Sequence, residues 1–528
     1  VSDAAFGRAS WRDWAGPDLA AMQARWGASY RWFVTFAAML GTVATILSAT
    51  IVNVALPQVM GAFGIGQDHA QLISTAFLAA VTATMLLNGW LVDTFGCRVT
   101  YAVALAMFIA GSIVSGSAPN EGVLIAGRVL QGAAAGMVQP LGMQIIFQVF
   151  PAERRGSAMG LYAVGVVLAP ALGPTVGGLI VDGFGWRAVF FLGIPVALVG
   201  LVLGLVFMPG PARDGARRRF DGPGFALLVT ALLALLTGLS SGQREGWGSD
   251  RVVIELLVAA AAGVGFVLWE LHTDSPMLNP RLFAVRGFAC SAAVGLVYGA
   301  ALFGTTYLAP LFVQTIQGYT PTRAGLLLMP AGLAMVLVFP IAGRLADRFP
   351  PWGPIGAGLL LFGVSAALMV GVATDTPFWT LALWILVGRI GFGFAMPSMN
   401  AGALRALPPR WVSQGSGAVN FARQFGGAIG VNLLSILLER QTQFHAQALT
   451  ATQFGSAATR EMLDTVAALL AREGIPGGTR EAMAQEFLSQ AILAQASMLA
   501  FRDTFLAVAI ACCVALIPVA IMRHRPKA

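Results

Sequence analysis

Three arginines, Arg128, Arg389 and Arg423, fall in or beside long apolar runs. A charge held in lipid is costly and marks a substrate or ion path by default, although Arg423 is close enough to one end of its run to snorkel to the interface. The acids are distributed differently. Of the 24 Asp and Glu residues, none reads to the middle of the twelve runs that pair as repeats, and Glu255, in an inserted run, is the one candidate for an intramembrane carboxylate. None of His69, His272, His445 and His524 is central. Ser48, Asn53, Gln139, Gln314, Asn400 and Asn420 bring hydroxyl and amide groups into the apolar segments. Such groups either hydrogen-bond a small guest in a dry bundle or glue helices together. Bond-making chemistry would need a metal cluster, a nucleophile with its base, or paired carboxylates sharing a pocket. No such set appears, and no Walker A loop offers direct ATP drive, so no enzyme, cofactor or metal is expected.

The elements that position these residues must be membrane helices. Of 528 residues, 57% are hydrophobic and only 11% charged, against about 25% charged in ordinary soluble domains; the mean hydropathy is +0.76. Apolar runs of about 20 residues, the length that spans a bilayer as helix, recur along almost the whole chain. A net charge of +8 does not point to nucleic acid, because the basic residues sit in short loops between apolar runs. Residues 1–30 lack an apolar core and are not expected to be a cleavable signal peptide. Cys97, Cys290, Cys512 and Cys513 read as small packing residues, with no exported pair to bridge.

Breaks at Gly, Pro and charge give fourteen spans. Six lie near 32–57, 70–92, 99–117, 122–148, 156–181 and 187–208; two near 222–241 and 252–271; six near 287–313, 323–345, 353–374, 378–402, 412–438 and 502–522. Arginine alternates from loop to loop as the positive-inside rule requires. Arg98, then Arg154 and Arg155, then Arg213 and Arg217 to Arg219 occupy alternate loops, while the loops around Gln67, Asn120 and Asp375 carry no Arg or Lys. Both termini are therefore expected in the cytoplasm. The expected organisation is a tail at 1–31, a six-helix bundle at 32–208, and a linker at 209–286 holding two inserted spans. A second six-helix bundle covers 287–523 and a short tail 524–528. The second bundle includes a long exported segment, 439–500, with helix-like stretches near Glu461–Arg472 and Arg480–Ala500: a solvated connector or a docking surface.

The two bundles look duplicated. Gly89, Leu91 and Asp93 follow the second span as Gly343, Leu345 and Asp347 follow the tenth. Gly127-Arg128 before Pro140 is echoed by Gly388-Arg389 before Pro397. Repeats related through the membrane put a substrate site at their interface near the midplane and permit alternating access by rocking.

On these motifs the chain resembles the fourteen-helix drug:proton antiporter family of the major facilitator superfamily, of the EmrB/QacA type, over residues 32–523. Gly89, Leu91, Asp93, Gly96 and Arg98, repeated as Gly343, Asp347 and Arg348, match the family's loop motif, which implies gating by a latch between the halves. Gly160, Pro170, Gly173, Pro174, Gly177 and Gly178 resemble its antiporter signature, with Ala169 where a glycine is usual. Leu47 to Pro57 resembles the first-helix signature, but Ser48 stands where similar proteins carry aspartate. The resemblance implies proton-linked efflux of hydrophobic or amphiphilic compounds from an inner membrane, with Arg128 in proton transfer. A periplasmic adaptor and an outer-membrane channel are possible partners. Arginines without a central acid suggest neutral or weakly acidic amphiphiles over quaternary cations. Export of one endogenous metabolite, siderophore or lipid, and facilitation without protons, are the alternatives.

Overall fold

The computed structural model describes residues 19–65, 67–210, 219–453, 456–473 and 475–523. Helix is the regular structure throughout these residues, as lipid demands of a backbone that must satisfy its own hydrogen bonds. In chain order the α-helices are α1 (Leu19–Trp26), α2 (Tyr30–Phe63), α3 (Gln67–Met85), α4 (Asn88–Gly116), α5 (Glu121–Val149), α6 (Arg155–Phe184), α7 (Ala188–Phe191), α8 (Gly193–Phe207), α9 (Gly222–Glu245) and α10 (Asp250–His272). They continue as α11 (Arg281–Ala284), α12 (Arg286–Thr315), α13 (Pro321–Arg348), α14 (Trp352–Met369), α15 (Phe378–Arg405), α16 (Val412–Gln453), α17 (Ala457–Arg472), α18 (Gly477–Val514) and α19 (Leu516–Arg523). Among the described residues, eleven helical segments are long and apolar enough to cross a bilayer, and Leu72–Met85 is a shorter apolar one.

Helix ends follow local chemistry. Asn120 caps α5 through the Val123 N–H at 3.0 Å, and Asp221 caps α9 through that of Gly224 at 2.9 Å, each satisfying a donor the helix leaves open. The second expected span is interrupted: helix stops at Met85, resumes at Asn88, and turns at Gly96, where φ is +81°. That left-handed value suits a residue without a Cβ, so Gly96 makes the reversal into the membrane segment that follows.

The thirteenth expected span continues unbroken to Gln453. At 1.5 Å per residue its 42 residues extend about 63 Å, roughly twice a hydrocarbon core. Similarly, α18 runs from Gly477 into the last span without a break. The described residues of the segment 439–500 are therefore the projecting ends of two long helices with α17 between them in the chain. His445 Nε2 and Asp503 Oδ2, 2.7 Å apart, tie the two together.

Helices α2 to α6 and α8 pack among themselves, as do α12 to α16 and α18. Across the two sets, α6 lies against α13 and α15, and α16 against α3, α4 and α5. The α9–α10 pair packs through α9 on α3 and α16, with Leu228, Leu232, Phe266 and Met277 buried on Ala83 and Leu86.

Candidate functional site

One end of the bundle is closed by two crossings of the same design. At the first, Asp347 in the last turn of α13 reaches the start of α6. Its carboxylate accepts from the Gly156 N–H at 2.6 Å, the Ser157 N–H at 2.8 Å and the Ser157 hydroxyl at 2.5 Å. A carboxylate there satisfies open donors and faces the positive end of the helix dipole. Arg405 pairs with it at 3.1 Å and donates to the Ala346 carbonyl at 3.0 Å. Glycine permits the approach: a Cβ on Gly343 would lie 2.6 Å from the Gly156 carbonyl oxygen. Gly160 is likewise pressed on the Phe339 carbonyl.

At the second crossing, Asp93 accepts from the Ser413 hydroxyl at 2.9 Å, at the start of α16. Asn88 donates to Gln144 Oε1 at 3.0 Å and to the Ser413 carbonyl at 3.2 Å, and the Ser416 hydroxyl donates to the Pro140 carbonyl at 2.6 Å. Gly89 packs against Gln414, and Gly417 against the Met85 carbonyl. Gly89, Asp93, Gly343 and Asp347 are thus brought to contacts between the two helix sets, while Gly96 serves the turn described above and two expected latch residues lie elsewhere. Arg98 turns to the far side, its Nε donating to the Met208 carbonyl at 2.8 Å, and so fastens the end of α8. Arg348 is exposed; the arginine on Asp347 is Arg405, which no local motif flagged.

The interior holds the arginines. Arg128, 1% exposed, donates to the Ser48 carbonyl and hydroxyl, each at 3.3 Å, and to Gln131 Oε1 at 2.9 Å. Gln131 is fixed in turn by Ser112 at 2.8 Å. The Phe77 ring lies 4.0 Å from the guanidinium, and the buried Nε has no partner. Among the described residues Arg128 has no carboxylate partner. In the other set Arg389 donates to the Thr306 hydroxyl at 2.5 Å, so in both an arginine of the fourth helix holds a hydroxyl of the first. Thr306 is invisible to a search for charge or amide.

Arg423 is buried and donates to Asn420 Oδ1 at 3.1 Å, so it does not reach an interface. Asn420 approaches Met143 of α5. Nearby on the first set, the hydroxyls of Tyr162 and Thr42 are 2.7 Å apart, and Tyr162 donates to the Gln139 carbonyl at 3.2 Å. Gln139 is half-buried and Asn400 buried. Gln314 is exposed near the end of α12, bonded to its own helix at Pro310, apart from this group. Gly173 and Gly177 press α6 onto Thr50 and Ile51 of α2, whereas Gly178 faces open space. The side chains of Asn53, Pro170 and Pro174 lie outside the described residues.

One acidic reading is corrected. Glu255 is not a lone membrane carboxylate: it lies in the second turn of α10 and pairs with Arg251 at 3.2 Å, beside an Arg251–Glu245 pair at 2.8 Å. Among the described residues the deeply buried acids are Glu270 and Asp221, 3% and 6% exposed, at the other end of the same hairpin. Glu270 lies inside the expected span 252–271, near its end, and is not singled out there. The Asp221-Gly222-Pro223 run is a helix-start signal in the sequence.

An all-helical bundle whose two helix sets meet at charge-capped crossings, with polar groups buried inside, is the architecture of a membrane transporter. Residues 38–431 match the family described as Major Facilitator Superfamily, and the chain belongs to it: a multi-pass membrane transporter, not an enzyme. It is 32% identical to the uncharacterised MFS-type transporter YhcA of Bacillus subtilis over 77% of this chain and 76% of that one. It is 30% identical to the methylenomycin A resistance protein of Streptomyces coelicolor over 79% and 88%. The crystal structure of the human organic anion transporter MFSD10 has the same fold, with a TM-score of 0.61 at 14% identity, covering 91% of this chain and 99% of that one.

Proposed function

We propose that this transporter is a secondary active exporter that exchanges protons for hydrophobic or amphiphilic drugs and toxic compounds by alternating access. It would lie in an inner membrane as fourteen spans, two six-helix bundles with α9 and α10 inserted, both termini cytoplasmic. Adding α3, α5 and α6 to the eleven segments of sufficient length and hydropathy supports that number. The Asp347 and Asp93 crossings then close the cytoplasmic side. The name of the Streptomyces relative supports export of an antibiotic-like compound. The helix ends projecting with α17 give a periplasmic adaptor, joined to an outer-membrane channel, a surface to dock on.

The observation that carries the substrate class is Arg128, buried among a hydroxyl, an amide and a ring with no carboxylate partner among the described residues. A quaternary cation gains nothing beside it, while an acidic or carbonyl-bearing amphiphile gains a charge-assisted hydrogen bond. Transport into everted vesicles with and without a proton gradient, with ethidium-like cations and acidic amphiphiles in parallel, tests both parts. Gradient-independent movement would demote the antiporter to a facilitator. Handling of the cations with none of the acids would remove the stated preference.

A further inference from the structure

The hairpin of α9 and α10 is the part of the molecule that the duplicated halves do not account for. Its end nearest the latch buries two carboxylates. Asp221 Oδ1 accepts from the Gly224 N–H at 2.9 Å and from Trp269 Nε1 at 2.7 Å, and its Oδ2 has no partner. Glu270, the next residue after Trp269, accepts from the Leu278 N–H at 3.2 Å through Oε2, and its buried Oε1 has no partner. Among the described residues neither acid forms an ion pair.

The groups around them sharpen the question. Glu270 lines a hollow with Thr273, Asp274, Asn279 and Arg281. Asp274 and Arg281 are the ionisable groups on that segment, while His272 is exposed and bonded to its own helix at Leu268. Ala83 of α3 and Leu86 just beyond its end are apolar, and α16 brings Phe421, Phe425 and the neutral Gln414. Two neighbouring carboxylates so enclosed cannot both keep a charge at tolerable cost. A proton on one of them relieves it.

We propose that Asp221 and Glu270 together form a proton-binding site, and that the segment 276–278 relays its occupancy to the Asp93 crossing. This rests on the proton-exchange reading above and makes the site a proton-dependent control on the Asp93 crossing, taking its proton from and returning it to the side on which the hollow opens. The relay is short. Leu278 donates to Glu270, Pro276 two residues earlier accepts from Gln414 Nε2 at 3.0 Å, and Gln414 packs on Gly89 beside the Ser413–Asp93 bond. With the proton bound, the hairpin end stays packed and holds Gln414. When the proton leaves to water through the hollow, the charge left on Glu270 draws water in, shifts the segment, and releases the α16 side of the latch.

The test uses the full-length protein in proteoliposomes with a dicyclohexylcarbodiimide arm, because that reagent modifies protonated carboxyls in apolar surroundings. Mass spectrometry is expected to find Glu270 modified, less so as pH rises, with Glu255 unmodified. Glu270→Gln, which keeps the size and hydrogen-bonding shape, is expected to lose gradient-driven accumulation and its pH dependence while substrate counterflow remains measurable. Gln414→Ala is expected to keep the pH-dependent modification of Glu270 but lose accumulation. Glu270 unmodified at every pH, or Glu270→Gln with wild-type accumulation and pH profile, overturns the site. If the wild type itself ignores the gradient, the antiport reading falls, and the modification arm still decides whether the proton is bound here.

Discussion

Asp347 Oδ1 lies 2.6 Å from the Gly156 amide nitrogen, so a side chain at the end of one helix completes the first turn of another, 191 residues away. The bond joins local folding to global conformation: α6 is fully capped at its start only while the two helix sets are together at this end. Opening the crossing must expose the Gly156 and Ser157 amides and the carboxylate to water at once.

Asp347→Ala is expected to weaken the closed state by about 1–2 kcal/mol, the usual worth of a cap together with its charge–dipole term. Labelling of a cysteine placed at Ser157 should accelerate correspondingly. Asp347→Asn keeps an acceptor and should fall between. Arg405→Ala is expected to cost less than about 1 kcal/mol, because that pair is partly exposed. Equal labelling in Asp347→Ala and wild type would rule out a latch here.

Gly343→Val places a branched side chain where even a Cβ would lie 2.6 Å from the Gly156 carbonyl oxygen. Backbone cannot yield as a flexible side chain does, so α13 must move away from α6 at about 1–3 kcal/mol. A lower thermal midpoint in detergent together with faster labelling at Ser157 is expected. The same change at Gly178, which faces open space, should leave both near wild type.

Much of this was legible in the sequence, for physical reasons. Length and hydropathy locate membrane helices because lipid accepts little else. Gly343 and Asp347 repeat Gly89 and Asp93 because the two crossings solve one steric and electrostatic problem twice. Partners contributed from afar were not legible. Arg348 adjoins Asp347 in sequence, but successive residues on a helix point apart, and the cation that meets Asp347 is Arg405, 58 residues on. Thr306 was missed because a threonine in an apolar run reads as ordinary packing until an arginine is found against it. Glu270 was missed because a carboxylate at a span end is normally solvated; only the chain returning at 276–278 covers it.

Thr306→Val removes the charge-assisted hydrogen bond that Arg389 makes with the Thr306 hydroxyl, at about 1.5–3 kcal/mol. Ser48→Ala is expected to do less at Arg128, because the Ser48 carbonyl and Gln131 remain as acceptors. Comparing the thermal midpoints of the two variants checks the order, and a larger loss in Ser48→Ala would show that the two arginines are not held by equivalent means.

Ser48→Asp bears most directly on what the interior selects. The Ser48 hydroxyl lies 3.3 Å from Arg128 Nη1, so a carboxylate there would form an ion pair with the guanidinium and cancel its charge as seen by a guest. Removing the need for an outside acceptor should lower affinity for acidic amphiphiles and raise it for cations, each by about tenfold if the local field changes by about 1.4 kcal/mol. Arg128→Gln should weaken acidic substrates likewise, but without attracting cations, since it removes positive charge and adds no negative one. Competition between an ethidium-like cation and an acidic amphiphile in vesicles bearing wild type, Ser48→Asp and Arg128→Gln separates the cases. If the preference is unmoved in all three, Arg128 braces α5 against α2 and selection lies elsewhere.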